Sequence, residues 1–457
     1  MGEVFAAIKG SEQDYTNVSL NKSIFLLAVP MVLEMMMESL FAVVDIFFVS
    51  RLGSDAIATV GLTESMMTII YAIGFGLSAG TTAIISRRIG EKNREGASVA
   101  ASQAIIAGIF IAFVLAIPGL FFSEQLLRLM GASEKLIADN HMFTAIMLSG
   151  NIVILLLFII NAAFRSAGDA AIAMRVLWYA NILNMILDPC LIFGLGPFPE
   201  LGIKGAAIAT TTGRGLAVMY QIYLLFSGKR GIKLLLSHIR IDWKVLRQIV
   251  KLSLGGTMQN LIATTSWVFM VRTLSVFGSE VVAGYTIAIR IVIFSLLPSW
   301  GLSNAASTLV GQNLGAGKPE RAEKAAWITS IANIIVMGIA GIFLIFFPHV
   351  FIKLFSNDAL VIEKGAVCLR MISYGFIFYG LGMVMVQSIN GAGDTYTPTY
   401  INLFCFWGIE IPLAYLLAIH LGVGENGVYI AIVVAETMLA ITGFIIFRKG
   451  KWKLKKV

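Results

Sequence analysis

Leu26 to Gly53 reads LLAVPMVLEMMMESLFAVVDIFFVSRLG. The run is apolar and long enough to cross a bilayer, which needs about 20 residues, yet it carries Glu34, Glu38 and Asp45. At about 100° per residue, this spacing brings the three carboxylates onto one face of a helix. A charged Asp near a bilayer centre costs on the order of 2.5–3.5 kcal/mol on insertion scales, so such residues face a cavity or a partner and mark ion or proton pathways. Pro30 removes a backbone hydrogen bond inside the same run and predicts a bend. A bent spanning helix that bears acids suits a moving part of a transporter. The alternative is a structural polar network inside a helix bundle.

Of the 457 residues, 58% are hydrophobic and 13% charged, against about 45–50% and 25% in soluble domains. The chain therefore reads as an all-α, polytopic membrane protein. Met1 to Ser19 is polar and mixed in charge, unlike a cleavable signal, and Ala6 stands where a myristoylation motif wants Ser or Thr. Cys190, Cys368 and Cys405 lie in apolar segments without pairing or metal spacing and are expected to be small core residues. His141, His238, His349 and His420 sit at loops or span ends without ligand spacing, and no GxxxxGK[ST] motif occurs. That argues against an enzyme, a resident cofactor or direct ATP drive.

Apolar runs separated by turn signals give about twelve spans, numbered 1 to 12: 21–49, 56–86, 96–121, 136–164, 170–194, 204–227, 245–277, 281–311, 322–347, 361–389, 398–420 and 427–447. Lys and Arg gather on alternate sides. Arg87, Arg88, Lys92 and Arg94 precede span 3; Lys229, Arg230, Lys233, Arg240, Lys244, Arg247 and Lys251 precede or open span 7; Lys318, Arg321 and Lys324 flank the start of span 9; and the tail holds Arg448, Lys449, Lys451, Lys453, Lys455 and Lys456. The positive-inside rule then places both termini in the cytoplasm of a plasma (inner) membrane protein. The net charge of +8 is thus a topology signal and a means of touching anionic lipid heads rather than nucleic acid.

An internal repeat organises the chain. RSAGDA ends span 4 and NGAGDT ends span 10, which sets Gly168-Asp169 and Gly393-Asp394 225 residues apart. The same offset aligns Pro30 with Gly255, Gly53-Ser54 with Gly278-Ser279, Gly90 with Gly315, and Gly202 with Gly427. The reading is two pseudo-symmetric six-helix lobes, 1–227 and 245–457 with its basic tail, joined by a cytoplasmic linker, 228–244. Six spans return the chain to its starting side, so the lobes are related by an axis along the membrane normal, with substrate sites between them. Each Gly-Asp pair is expected to stop one helix and cap the next.

The repeat also serves as an internal control. Glu34, Glu38, Asp45, Glu64 and Asp188 face Gln259, Ala263, Met270, Ile289 and Leu413 at the offset of 225, so the shared fold does not need these acids. With the N-terminus inside, Asp45 of span 1, Asn184 and Asp188 of span 5, and Thr210 of span 6 all fall in the outer half and could converge. Two carboxylates with an amide and a hydroxyl make either a cage for sodium or a site that takes a proton. A passive polar cluster is the bland reading of the same residues.

Met35, Phe41 and Asn161, with Glu34 and Glu38, are candidates for a loose apolar substrate pocket. In the second lobe Arg290, Glu410 and Glu436 are expected to pair as buried charges.

LAVPMVLEMMMESLFAVVDIFFVSRLG, NAAFRSAGD, NILNMILDPCLIFGLGPFPELGIKGAAIAT and the AIRI of span 8 resemble the multidrug and toxic compound extrusion (MATE) family over about residues 20–447. The prokaryotic branch named for DNA-damage-inducible members is the most similar. The resemblance implies a monomeric, cation-coupled antiporter with a V-shaped pair of lobes that exports lipophilic, often cationic compounds. It implies that Asp45 and Asp188, with Asn184 beside them, form the proton or sodium site, that Pro30 marks the bend of span 1, and that Arg290 matches a span 8 arginine of some members. Members outside the branch use acids in spans 7 and 10; here span 7 offers Gln259 and Ala263, and span 10 has no mid-span acid. A flippase for lipid-linked precursors is the alternative, but it wants a cationic cavity where the intramembrane charges read as mostly acidic.

Overall fold

The computed structural model describes residues 2–10, 15–228 and 231–457. Lys229 and Arg230 of the expected linker lie outside the described residues. A short helix, Gly2–Lys9, precedes twelve long ones. In the first lobe these are span 1 Leu20–Ser50, span 2 Ser54–Gly90, span 3 Arg94–Leu129, span 4 Glu134–Ser149 with Asn151–Ser166, span 5 Ala170–Phe193 and span 6 Ile203–Ser227. In the second they are span 7 Trp243–Leu274, span 8 Ser279–Gly315, span 9 Pro319–Phe346, span 10 Ala359–Ser373 with Phe376–Gly391, span 11 Tyr396–His420 and span 12 Glu425–Arg448. Among the described residues, ten of these are apolar enough to cross a bilayer if bent span 10 counts as one. Spans 6 and 7 match them in length but carry Thr210 to Thr212 and Arg214, or Gln259, Asn260, Thr264 and Thr265.

Turn residues legible in the sequence start several of these helices. Asn93, Ser133, Asp169, Asp242 and Asp358 each accept a hydrogen bond from a backbone N–H in the first turn. Both Gly-Asp pairs act as expected: Gly168 and Gly393 take φ of 93° and 90°, and Asp169 and Asp394 accept from Ile172 N and Thr397 N. Breaks in the helices fall elsewhere than at Pro30, where a bend was expected. Span 1 stays helical through Pro30, while span 3 runs past its expected limit of 121 to Leu129 through a kink at Phe122, four residues after Pro118. Span 10 bends by 53° between its two halves.

Each lobe closes around its own apolar core. Met67, Ile84, Leu155, Ile160 and Phe164 pack within the first, and Met270, Tyr285, Met337, Leu369 and Tyr429 within the second. The lobes meet near the end that carries both termini, through glycines that let backbones touch. A Cβ on Gly76 of span 2 would lie 2.5 Å from Ser253 O and 2.6 Å from Thr257 N of span 7; one on Gly301 of span 8 would lie 2.8 Å from Val32 N, just past Pro30. Gly90 and Gly315 close the span 2 and span 8 contact in the same way.

Polar bonds across that end reinforce the closure. Gln312 donates to Ser166 O at 2.8 Å, Arg321 to Tyr15 O at 3.0 Å, and Arg87 to the Lys455 carbonyl. Toward the opposite end, Glu64 of span 2 and Arg290 of span 8 are exposed well inside their helices.

The glycine contacts carry a prediction. Gly76→Leu cannot be accommodated without moving spans 2 and 7 apart, so it should disfavour this arrangement. Spin labels at the exposed positions Lys92 and Trp243, in a cysteine-free chain, should report a longer mean distance in the variant. An unchanged distance distribution refutes the role assigned to this contact.

Candidate transport site

Glu34, Glu38 and Asp45 all turn into the first lobe, as their shared face requires, but they meet different surroundings. Glu34 is 2% exposed, and its Oε1 accepts from Arg165 Nη1 at 2.7 Å and Asn161 Nδ2 at 3.2 Å. Gln221 of span 6 donates to Asn161 Oδ1 at 2.5 Å, which ties spans 1, 4 and 6 together. Glu34 and Asn161 were expected on an open pocket. Both are buried in this arrangement, with Glu34 accepting from the Arg165 guanidinium and the Asn161 amide, because a carboxylate inside a bundle is stable only with a donor opposite it.

One turn along, Glu38 accepts from Arg214 Nη2 at 3.0 Å and Asn181 Nδ2 at 3.2 Å, and it keeps 37% side-chain exposure. Arg214 also lies over the Phe41 ring at 5.4 Å. Phe41 is thus a buried platform, and Met35 is half-buried beside it on span 1.

Asp45 stands apart from these pairs. It is half-buried and lies within electrostatic range of Asp188, Glu64 and Arg214, with no ion pair of its own among the described residues. Asp188, one residue before Pro189 in span 5, is fully buried. With the Asn184 amide turned to suit its neighbours, its nitrogen donates to Asp188 Oδ2 at 2.9 Å, and its oxygen accepts from Thr210 N at 2.9 Å and Thr210 Oγ1 at 3.0 Å. Asp188 Oδ1 has no hydrogen-bond partner. Of the four residues singled out in the sequence, Asn184, Asp188 and Thr210 thus meet, with Asp45 within electrostatic range of Asp188. Their oxygens, one of them unclaimed, could hold a small hard cation or a proton.

Two arginines complete this interior and were missed in the sequence. Arg214 falls within the expected limits of span 6, so an intramembrane arginine should have been paired with the acids of span 1 at once. Arg165 fell one residue past the expected end of span 4 and was read as part of a turn motif.

Among the described residues, the pairing expected in the second lobe is not found. Arg290 is exposed on the face turned to the first lobe and lies within electrostatic range of Glu64. Buried Glu410 accepts from Ser266 Oγ at 2.8 Å, and Glu436 is half-buried beside it. An exposed arginine on the cleft wall can be hydrated, so it does not need the acids of its own lobe.

A family model described as MatE matches residues 30–190 and 257–416, one stretch in each lobe. The chain belongs to the MatE family. Members of this family are membrane transporters rather than enzymes, with twelve spanning helices in two lobes, as here. Over 443 residues the chain is 27% identical to the probable multidrug resistance protein NorM of Thermotoga maritima, covering 96% of this chain and 94% of the relative. It is 29% identical over 404 residues to the FAD transporter of Shewanella oneidensis, covering 88% of each. An outward-facing structure of a multidrug resistance MATE family transporter of the MOP superfamily matches with a TM-score of 0.90 at 25% identity, over 97% of this chain and 99% of that one. These relatives do not favour the flippase reading.

Proposed function

We propose that this MatE protein is a secondary active multidrug efflux antiporter of the plasma (inner) membrane, acting as a monomer with both termini in the cytoplasm. It exchanges lipophilic, often cationic compounds for protons or sodium by alternating access. The observation that supports this reading is fully buried Asp188, joined to Thr210 through Asn184 and left with an unpartnered Oδ1, with Asp45 within electrostatic range and no ion pair to either acid among the described residues. Buried acids that lack a basic partner require a mobile one.

Taking the termini as cytoplasmic, an arrangement closed at the terminal end is the outward-facing one. A cation arriving from outside at Asp45 and Asp188 removes the negative charge that attracts a cationic drug, so the drug leaves; loss of the cation inside restores the attraction. Cation and drug then compete, and each shifts the states only by its differential affinity for them. Glu38 sits at the exposed margin of this interior and is the second contact for a drug cation, while the pairs at Glu34 and Glu38 hold spans 1, 4, 5 and 6 in register. Arg290 and Glu64 face each other across the cleft and are the charges that meet a substrate first.

The test uses proteoliposomes loaded with a fluorescent organic cation and given an inward proton gradient or an inward sodium gradient in turn. One of the two gradients is expected to drive dye out, which also names the coupling ion. If neither gradient moves the dye, the reading fails. Movement of FAD in place of the cation would replace it with the activity named for the Shewanella relative.

A further inference from the structure

The second lobe contains a carboxylate pair that the scheme above leaves idle. Glu410 is 2% exposed, and Glu436 of span 12 lies within electrostatic range of it. No basic group pairs with either among the described residues, and the one hydrogen bond to Glu410 comes from Ser266 of span 7. Glu410 ends a π-helical stretch, Leu403–Glu410, inside span 11, a distortion that frequently marks functional positions.

The surroundings are polar in a patterned way. Within electrostatic range of one or both acids are Tyr285 of span 8, Tyr379 of span 10 and Cys405 of span 11, with Cys368 of span 10 and Tyr429 of span 12 behind Tyr285. None of these is basic. Tyr285 is 3% exposed, its hydroxyl has no hydrogen-bond partner, and it lies within electrostatic range of Glu410 with its ring stacked on Tyr429 at 6.5 Å. A buried hydroxyl left unpaired beside a buried carboxylate is a costly arrangement, and it points to a further group that enters this site.

Pseudo-symmetry makes the placement specific. At the repeat offset of 225 residues, Glu410 and Glu436 match Met185 and Thr211, each one position along from Asn184 and Thr210 of the first-lobe cluster. The two acids thus stand on the equivalent helices at the equivalent depth of the other lobe.

From this geometry we infer that Glu410 and Glu436 form a second cation site, in which the two carboxyls share one exchangeable proton within the second lobe. One proton between two carboxylates leaves a single negative charge instead of two and supplies the donor the pair lacks. The burial of Glu410 among aromatic rings favours a proton over sodium, which needs several oxygens around it. The site deepens the antiport reading by giving each lobe a cation-responsive element. Its test, however, needs no transport, so the two readings fail separately.

The experiment is infrared spectroscopy of the purified full-length protein in nanodiscs at neutral pH, in the carboxylic acid C=O region. Asp45→Asn/Asp188→Asn removes the two first-lobe carboxyls that lack an ion pair, while Glu34 and Glu38 stay paired with Arg165 and Arg214. A protonated-carboxyl band is expected to remain in this variant, to be unaffected when choline chloride is replaced by sodium chloride, and to vanish when Glu410→Gln/Glu436→Gln is added. The proposal is overturned if no band is present in the first variant, if the band survives the added substitutions, or if sodium abolishes it. Should the fourfold variant not yield monodisperse protein, Glu436→Gln alone serves: loss of the partner carboxyl should shift the frequency of the Glu410 band, and an unmoved band overturns the sharing.

Discussion

Arg165→Met should be among the most destabilising single substitutions in the chain, lowering stability by about 3–5 kcal/mol, the usual cost of leaving one member of a buried ion pair alone. The side chains of Arg165 and Glu34 are 9% and 2% exposed, so water cannot replace the lost guanidinium. The loss would remove the 2.7 Å bond to Glu34 Oε1, and Glu34 Oε2 already has no partner. Only the Asn161 amide would then remain on the carboxylate.

The matched control is Glu34→Gln/Arg165→Met, which removes both charges and should recover most of the loss, since a buried pair exchanged for neutral groups is often nearly neutral in stability. Arg214→Met should be milder, because its partner Glu38 keeps 37% exposure and can be solvated. Thermal melting of the three variants in the same detergent decides the matter. Equal losses in Arg165→Met and the double variant would show that the pairing with Glu34 is not what Arg165 contributes.

The architecture was legible in the sequence because a bilayer imposes a length and an apolarity on each span, and because the repeat registers one lobe on the other at a constant offset. The same comparison isolated Asp45 and Asp188, since charged residues absent from the equivalent helix stand out against a shared fold. What stayed hidden was pairing. Sequence spacing fixes which residues share a face of one helix but not which face of a neighbour they meet, so Glu34 was given to a pocket when it belongs to Arg165. Arg290 was given to the acids of its own lobe for the same reason, although span 8 turns it toward the cleft and Glu64. The breaks escaped for a related cause: Pro30 is tolerated inside a continuous span 1, while the bend of span 10 falls at Gly375, between two apolar halves that read as a single run.

Asp188→Asn should abolish gradient-driven efflux while leaving the protein folded. The amide is nearly isosteric with the carboxyl and offers an oxygen and a nitrogen to the neighbours Asn184 and Thr210, so the loss of stability should stay within about 1 kcal/mol. What the amide lacks is the ability to exchange a proton or to bring a charge to a bound cation, and the unpartnered Asp188 Oδ1 is where that exchange would occur. Asp45→Asn should behave in the same way, since in the proposed mechanism the two acids, which lie within electrostatic range, titrate as a coupled pair.

The two variants should bind a cationic drug more weakly, because the amide lacks the charge that attracts it, and the binding left at Glu38 should lose most of its dependence on the coupling ion. Competition for the same carboxylates is what links the two ligands, and linkage disappears when the shared group is removed. Efflux from proteoliposomes, measured beside drug binding at two concentrations of the driving ion, separates this from simple misfolding, which would abolish both. If efflux persists in Asp45→Asn and in Asp188→Asn, the first-lobe cluster is a structural polar network and coupling resides elsewhere, with the Glu410 and Glu436 pair as the first place to look.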